Sequence, residues 1–579
     1  MSRQTLATRL LLSTALAISF ASTAFAQDAD PAPESPETAD DMADMDTIVV
    51  YGARLAGRVE TEQPTVLELD SEDIAAYGAN TIEDLIATLG SQVSSSRGRG
   101  GGGQVFLVNG RRISSFRELR SYPSEAIERF EVLTEEVALE YGYSADQRVV
   151  NIILKDDFSS LAAEGEYSQP WDGGFSSQEL DLTYVRLNDP SRLNLNVEGN
   201  RSTLLTEAER GIIQSDNNIP TFAFDPDPAA FRSLRGESRG VEATANWTTA
   251  LGDAGTSLTL SATYGYEDGT SLQGLDTVLL TDPDGNTALR SFNALDPLVV
   301  DRSGSSYSFG AALSARPGDW DVTATVDAQL GDSTSLITQR FDTGDFQEAA
   351  LTGELPLDAE LGPFPATGFD EAINNTYRIT SLVTAQTNPL YLPGGDTSLT
   401  LVAGYVGNGI EGSDTRNVGE DTQLDRSRFQ LGASASIPVT SRSEDFGAAI
   451  GDVSLNLSAN VFEQSDFGTL LDWNAGVVWG VTERLTLTAT YFSAESSPSL
   501  TQLGGTSFAT PNVPVFDIAN NETVLATVVT GGNPLLPAQQ QSDWKFGVNW
   551  ALPQVADFIE DARLQVEYFD NHSDDTTEG

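Results

Sequence analysis

VFLVNGRR at Val105–Arg112, IERFEVL at Ile127–Leu133 and YGYSADQRVVNIILK at Tyr141–Lys155 are the segments that decide the fold. They predict short apolar strands broken by polar turns, then a one-turn helix and a further strand, which together form a small α/β domain. From Leu161 to Phe569 the pattern changes to strand after strand, with apolar and polar residues alternating in a period of two. A small domain before a long alternating array is typical of a barrel that carries a plug.

The composition excludes several functional classes. The 579 residues include no Cys and one His, which excludes disulfide frameworks, thiolate metal sites and most catalytic dyads. A formal charge of −53 opposes nucleic-acid binding, because that binding needs clustered Lys and Arg to neutralise phosphates. We therefore predict no enzymatic activity, no cofactor, no metal site and no nucleic-acid partner.

The N-terminus carries an export signal. Arg3 and Arg9 flank the start of the chain, Leu10–Phe20 is a short apolar run, and Ala24–Ala26 matches a cleavage site. Residues 1–26 are therefore predicted to be a signal peptide. Elsewhere the sequence has no apolar run of about 18 residues, so we expect no transmembrane helix.

A disordered linker and a short β-favouring segment follow. Residues 27–46 are rich in Pro, Ala, Asp and Glu and cannot bury a core. The next segment consists of Thr47, Ile48, Val49, Val50, Tyr51 and Gly52. Taken alone, such a run is typical of a buried strand. On a flexible leader it also suits the addition of a strand to the sheet edge of a partner protein.

Two helices and two candidate apices are predicted before the last plug strand. Ser71 and Thr81 are expected to cap the two helices. The glycine-rich loop at residues 98–103 is either a solvated hinge or an apex that carries Arg97 and Arg99 into the lumen toward a ligand. The second candidate apex consists of Ser115, Phe116 and Arg117.

The long array is predicted to be a transmembrane antiparallel β-barrel of about fifteen strands, each about ten residues long. Short connections are expected at 188–190, 252–255, 316–319 and 480–483, and long ones at 201–238, 267–304, 331–375 and 494–541. Short turns on one side and long loops on the other are a feature of outer-membrane barrels. The aromatic residues expected on the outward face are Trp473, Trp479, Tyr491, Trp544 and Trp550.

These segments resemble TonB-dependent outer-membrane receptors of Gram-negative bacteria. Thr47–Gly52 looks like the TonB box of the family, and Gly532–Pro537 resembles its GNP-x-L-x-P-E segment. The resemblance implies a plug at residues 53–157 and a barrel of the 22-stranded type at residues 158–579. Because only about fifteen strands are counted and the chain ends in a polar loop, we expect a C-terminally truncated, incomplete barrel.

The resemblance also implies a charge cluster between plug and barrel. Family plugs carry Arg and Glu that pair with barrel glutamates, and Arg129 and Glu131 match them by position, although a solvated charged face is the alternative. The chain departs from the family twice. Gln147–Arg148 replace a usual Gly pair, and Gln539 and Lys545 stand where the family has two Glu. The cluster is therefore expected to be absent or rewired.

The implied function is import of a large, scarce nutrient of the siderophore, cobalamin or oligosaccharide class. A TonB-like periplasmic protein would pull the box and rearrange the plug of a monomer held in outer-membrane lipid. The alternatives are a non-transporting surface protein or adhesin, a passive porin, a signalling receptor and a non-functional truncated remnant. The predicted apical arginines favour an anionic ligand, whereas the net charge opposes one, so the substrate stays open.

Two further motifs are weak. GTSFATP at Gly505–Pro511 matches the subtilase nucleophile signature, but its base His would have to precede Ser507, and the only His is His572. Asp282–Asp284 is a weak candidate for a divalent cation, because the twelve-residue calcium loop is missing.

Overall fold

The structure is a computed structural model of the chain. It describes residues 57–59, 61, 63, 65–95, 97, 103–214, 218–252, 255–416, 421–504, 508–518, 522–530, 533, 535–552 and 562–575. The predicted signal peptide, linker and TonB box lie outside the described residues, as does Arg99.

The plug is a five-stranded sheet with two helices. Its elements are β1 (Thr65–Asp70), α1 (Ser71–Ala76), α2 (Ile82–Leu89), β2 (Val105–Val108), β3 (Arg111–Arg112), β4 (Ile127–Leu133) and β5 (Val149–Leu154). The strand order is β1-β4-β5-β2-β3, with β5 antiparallel to β4 and parallel to β2. The predicted one-turn helix is a 3-10 helix at Glu135–Tyr141. The small α/β domain is confirmed.

The central strand β5 explains the apolar run that identified the plug. All six of its residues are buried. Val150 and Ile152 belong to one hydrophobic core together with Ile82 of α2, and Val149 belongs to a second core with Val137. A strand covered on both faces has a nearly continuous apolar sequence, as this one does.

One of the two predicted helix caps is at the predicted residue, and the other is one residue earlier. Thr81 caps α2 as predicted, because its Oγ1 accepts the backbone N–H of Asp84 at 3.1 Å. Helix α1 is capped by Asp70 rather than Ser71. The Asp70 carboxylate accepts the N–H groups of Glu72 and Asp73, both at 2.9 Å, and so satisfies two donors that the first turn leaves free.

Strands and loops make up the chain after the plug. In chain order the strands are β6 (Asp157–Ser168), β7 (Ser177–Asn188), β8 (Ser191–Ser202), β9 (Leu205–Thr206), β10 (Ser233–Arg235), β11 (Glu237–Ala250), β12 (Ser257–Gly274), β13 (Asp276–Thr281), β14 (Thr287–Phe292), β15 (Leu298–Ala315), β16 (Asp321–Thr338), β17 (Phe369–Thr387), β18 (Tyr391–Leu392), β19 (Gly395–Asp396), β20 (Ser398–Asp414), β21 (Thr422–Thr440), β22 (Asp452–Gln464), β23 (Gly468–Thr482), β24 (Leu485–Ser496), β25 (Phe508–Asp517), β26 (Glu522–Thr530), β27 (Gln539–Leu552) and β28 (Ala562–Asp574). Helices α3 (Gly344–Thr352) and α4 (Leu500–Gly504) lie in two of the loops. No helix in the described part of the chain is long and apolar enough to cross a bilayer.

One antiparallel sheet contains fifteen of these strands. Its order is β28-β27-β24-β23-β22-β21-β20-β17-β16-β15-β12-β11-β8-β7-β6, and the other strands of this part of the chain form two-stranded ribbons within the connections. The predicted count of about fifteen strands is confirmed.

The sheet is polar on its inner face and apolar on its outer face. Along β8, Asn194 and Asn196 are 0% and 4% exposed, whereas Leu195 and Val197 are 41% and 45% exposed. A soluble sandwich would bury the apolar set instead. This inverted pattern is the one that barrels in lipid require.

The outer face also carries aromatic side chains. Trp473, Trp479, Trp544 and Trp550 are all exposed, as predicted. The half-buried Tyr491 lies between Trp473 and Trp544, with ring centroids 5.0 Å from each. Aromatic side chains at this face are typical of the girdle that a barrel presents to the membrane interface.

The sheet curves around the plug. Near one edge of the sheet Asn194 of β8 donates to Ser121 of the plug at 2.9 Å, and at the other edge Glu567 of β28 lies 3.1 Å from Arg148. A single small domain can contact strands so far apart in the sheet only if the sheet wraps around it.

Several strands extend into connections that were predicted to be loops. β17 and β21 each have 19 residues, well above the predicted ten. Residues 267–274 and 298–304 continue the pairing of β12 with β15. Ladder hydrogen bonds keep these residues in strands, although the outward apolar pattern weakens there.

Three long connections pack together as a loop cluster, defined by residues 203–214, 218–236, 275–297 and 339–368. Its core includes Phe292, whose ring makes edge contacts with Phe341, Phe346 and Phe364 at centroid distances of 5.6–6.1 Å. Arg290 is fully buried there and donates to both carboxylate oxygens of Asp225 at 2.7 and 2.9 Å. This hydrophobic core was not predicted from the sequence.

Candidate functional site

A buried group of charges joins the plug to the barrel. The 3-10 helix after β4 brings Glu135 and Glu136 against β27, where Lys545 points inward and is 1% exposed. The Lys545 Nζ atom lies 2.6 Å from Glu135 Oε2 and 3.2 Å from Glu136 Oε2. It also lies 3.5 Å from Glu567 Oε1 of the neighbouring strand β28.

Two plug arginines complete the group. Arg148 contacts Glu135 at 3.2 Å and Glu567 at 3.1 Å, and it donates to the carbonyl of Gln92 at 2.9 Å. Arg97 lies 3.7 Å from Glu136 and donates to the carbonyl of Ala145 at 2.6 Å. We call these six residues the ion cluster: Arg97, Glu135, Glu136 and Arg148 of the plug, with Lys545 and Glu567 of the barrel.

The ion cluster is electrically balanced, with three carboxylates and three cations. Burial alone would raise the pKa of Glu135, but the charges of Lys545 and Arg148 outweigh burial and lower it to about 2. Burial opposes ionisation of Glu136 as well, and the charges of Lys545 and Arg97 lower its pKa. Both plug carboxylates are therefore ionised and depend on a barrel lysine for compensation.

Acid is expected to weaken this attachment through Glu135. Its folded-state pKa of about 2 lies below the ordinary 4.5, so its contribution is complete above about pH 4.5 and is lost as the pH falls toward 2. A shift of this size corresponds to about 3 kcal/mol. When urea unfolding of the plug is measured at pH 7 and at pH 3, the free energy of unfolding should fall less for E135Q than for the unmodified chain. An equal loss in both proteins would contradict this role.

The two departures from the family pattern meet in the ion cluster. Arg148 stands where a Gly is usual and Lys545 where a Glu is usual, and both contact Glu135 and Glu567. Of the two expected alternatives, the charge cluster is rewired rather than absent: the plug supplies two carboxylates and two arginines, and the barrel supplies Lys545 and Glu567.

Arg129 and Glu131, which the resemblance assigned to this role, lie in ion pairs within the plug. Arg129 pairs with Glu68 of β1. Glu131 lies 3.0 Å from Arg58 and accepts from Asn151 at 2.9 Å. The assignment is corrected, because β4 directs these side chains to other plug segments. Glu135 and Glu136, two and three residues beyond its end, reach the barrel.

Further arginines fix the opposite side of the plug. Arg112 donates to the backbone carbonyls of Leu382 and Thr323 at 2.7 and 3.0 Å, and so contacts β17 and β16. Arg117 lies 2.5 Å from Asp327 of β16, and Arg120 pairs with Glu242 of β11. The plug thus contacts the barrel through charges on two sides.

The structure places the predicted apical residues in different environments. Arg97 is fully buried in the ion cluster, so it does not rise into the lumen as predicted. The Ser115 hydroxyl accepts the backbone N–H of Arg117, and Phe116 stacks on Phe106 with centroids 4.4 Å apart. Ser115 and Phe116 therefore shape the turn, and the neighbouring Arg117 contacts Asp327 of the barrel wall.

A cavity of about 670 Å³ lies beyond Arg120, on the side of the long loops. Strands β8, β11, β12, β15 and β16 supply its wall, near their ends at those loops. We call it the lumen chamber. Its volume lies in the range of pockets for small ligands.

The candidate cation site and the protease-like motif gain no catalytic or metal-binding support from the described residues. Asp282 accepts the backbone N–H groups of Asp284 and Asn286 at 2.9 and 2.8 Å, and so closes the turn between β13 and β14. Ser507 lies outside the described residues. His572 is exposed, 3.3 Å from Asp574.

Comparison with solved structures identifies the fold. A mutant of the ferric enterobactin receptor PfeA from Pseudomonas aeruginosa is 14% identical over 88% of this chain and 71% of its own, with a TM-score of 0.53. The siderophore receptor PirA from Acinetobacter baumannii is 15% identical over 88% and 70%, with a TM-score of 0.50. This chain has the plug-and-barrel fold of these receptors. The fold that the TonB-dependent resemblance implied is confirmed.

A third structure extends the comparison. Another PfeA mutant, solved in complex with enterobactin, is 15% identical over 89% of this chain and 72% of its own, with a TM-score of 0.53. Neither a protein-family model nor a curated protein sequence matches the chain. The chain therefore shares the plug-and-barrel fold at low sequence identity. The roles of the side chains in the ion cluster and the lumen chamber have to be argued from their own contacts.

Proposed function

We propose that the chain is an outer-membrane receptor that imports a large, scarce nutrient by energy-coupled rearrangement of its plug. A TonB-like periplasmic protein would bind Thr47–Gly52 and pull on the plug. The apolar outer face and its aromatic side chains support a location in outer-membrane lipid. The siderophore receptors that share the fold support a nutrient ligand.

The observation that carries this proposal is the charged attachment of a folded plug inside the sheet. A passive porin needs an open lumen, whereas here plug side chains contact strands from β8 to β28. A ligand in the lumen chamber can pass only after these contacts break. Because barrels have no energy source of their own, the work has to come from a partner acting on the plug.

The ion cluster sets the scale of that work. Breaking a buried ion pair by removing one partner costs about 3–5 kcal/mol. A pull that moves the plug would have to separate Glu135 and Glu136 from Lys545 together. We therefore expect the attachment to keep the lumen closed at rest and to open when the partner pulls on the plug.

Tethering the plug to the barrel tests the proposal. The chain has no Cys, so an engineered disulfide would be unique. A Cβ placed on Gly310 of β15 would lie 3.3 Å from the Ser114 Cβ, which is close to disulfide geometry. S114C and G310C are combined with S261A, because the Ser261 hydroxyl would otherwise meet the new side chain.

Uptake is measured in cells with labelled ferric siderophores, cobalamin and oligosaccharides, using the compound whose accumulation depends on the unmodified chain. Oxidation of the tethered variant should stop its uptake and leave surface binding intact, and reduction should restore uptake. The S114C/S261A variant is the matched control and should be insensitive to oxidation. Full uptake through an oxidised, cross-linked plug would contradict plug rearrangement.

A further inference from the structure

The wall of the lumen chamber carries few bulky side chains. Buried polar residues on the same strands, such as Thr244 on β11 and Thr263 on β12, show which face of each strand points inward. Residues on the same face farther along the strands include Ser238, Gly240, Glu242, Gly265, Glu267, Gly269, Arg302, Gly304 and Ser306. Glycine and serine dominate this set.

Glycines leave the charged side chains accessible to a ligand. In the sheet register Glu267 of β12 lies between Gly240 of β11 and Gly304 of β15. Arg302 lies opposite Gly269. Without neighbouring side chains on either strand, the carboxylate of Glu267 projects into free space in the chamber, and it is exposed.

The chamber carries more negative than positive charge. Glu198, Glu242 and Glu267 point into it, with Arg302 as the one cation among the inward positions of its wall. Glu242 is compensated by Arg120 of the plug. Glu198 and Glu267 have no ion-pair partner within the described residues.

The acidic surface continues onto the neighbouring strands. Asp181 of β7 pairs in register with Glu198 on one side and Glu164 of β6 on the other, and Glu166 pairs with Glu179. These side chains share the inner face of the sheet. A cleft lined by one sign of charge concentrates ligands of the opposite sign.

The plug does not reverse this balance. Of the three arginines that favoured an anionic ligand in the sequence, Arg97 pairs with Glu136 and Arg117 pairs with Asp327, and Arg99 lies outside the described residues. Arg120, at the border of the chamber, is committed to Glu242. The described wall of the lumen chamber is therefore acidic on balance.

We propose that the lumen chamber binds a ligand with net positive charge and several hydrogen-bond donors. Cationic groups of the ligand contact Glu198 and Glu267, a lesser anionic group contacts Arg302, and the serine hydroxyls accept or donate hydrogen bonds around them. This assignment deepens the proposed import function and rests on it for its biological meaning.

The test uses the purified chain in detergent and three peptides of similar size: trilysine, triserine and triglutamate. Calorimetric titration at low salt should give trilysine at least a tenfold lower Kd than either other peptide. The difference should shrink at high salt, because exposed charges are screened. The E198Q/E267Q variant should weaken trilysine binding at least tenfold.

The matched control is D319N/E483Q, which removes two exposed carboxylates from short connections. It changes the net charge by the same amount and should bind trilysine as the unmodified chain does. Equal affinity for the three peptides, tighter binding of triglutamate, or unchanged binding by E198Q/E267Q would overturn the assignment. Binding is measured without a periplasmic partner, so its failure is distinct from a failure of the tethering experiment.

Discussion

Replacing Lys545 with methionine is expected to destabilise the seated plug by about 3–5 kcal/mol, because it removes one partner of a buried ion network. The variant leaves the ion cluster with three carboxylates and two arginines. Glu135 and Glu136 are then close to each other with less compensation, and neither is exposed to water. With a urea dependence of about 1–3 kcal/mol per molar, the unfolding midpoint of the plug should fall by at least about 1 M.

The measurement uses the absence of native cysteine. A138C places a thiol at a fully buried plug position, so its labelling rate in urea reports plug opening. K155M is the matched control, since Lys155 is the only other lysine and belongs to no ion pair of the cluster. Its midpoint should be unchanged.

A second variant separates charge from packing. Adding E136Q to K545M makes the ion cluster neutral again. The double variant should recover more than half of the decrease in the urea midpoint. An unchanged midpoint for K545M, or a double variant as unstable as the single one, would show that the ion cluster does not hold the plug.

The fold could be predicted because its signals are local. Alternation along one strand, as at Asn194–Val197, assigns each side chain to the lipid or the lumen without any knowledge of its neighbours. The buried strand β5 is equally local, since burial on both faces leaves an uninterrupted apolar run. The fold itself is shared with receptors that are only 14–15% identical to this chain.

The ion cluster could be predicted only in part, because it is long-range. Lys545 and Glu135 are 410 residues apart in the sequence. The sequence drew attention to Arg148 and Lys545 as departures from a pattern, but their contact depends on how β27 and the 3-10 helix meet. Consecutive glutamates at a strand end were the available signal, and Arg129 and Glu131 were favoured over them by position alone.

The hydrophobic core of the loop cluster is a second feature that could not be predicted from the sequence. Its phenylalanines come from separate connections, and each looks like an isolated apolar residue in a loop rich in Gly, Pro and Asp. Only tertiary packing joins Phe292 to Phe341 and Phe364. The extended strands β12 and β15 were missed for a related reason, since backbone pairing continues where the outward apolar pattern weakens.

Deleting Thr47–Gly52 is expected to abolish uptake while leaving ligand binding at the cell surface unchanged. The deletion removes the segment on which a TonB-like partner would pull, and leaves the described contacts of plug and barrel in place. A matched control deletes six residues of the linker within 27–46, which shortens the leader and keeps the segment. That control should retain uptake.

Uptake and surface binding of the same labelled nutrient, compared in cells with and without Thr47–Gly52, test energy-coupled import most directly. Energy-coupled import predicts full binding, with uptake reduced to the level of cells that lack the protein. Uptake that persists after the deletion would contradict it, because the plug would then be opening without the partner's pull.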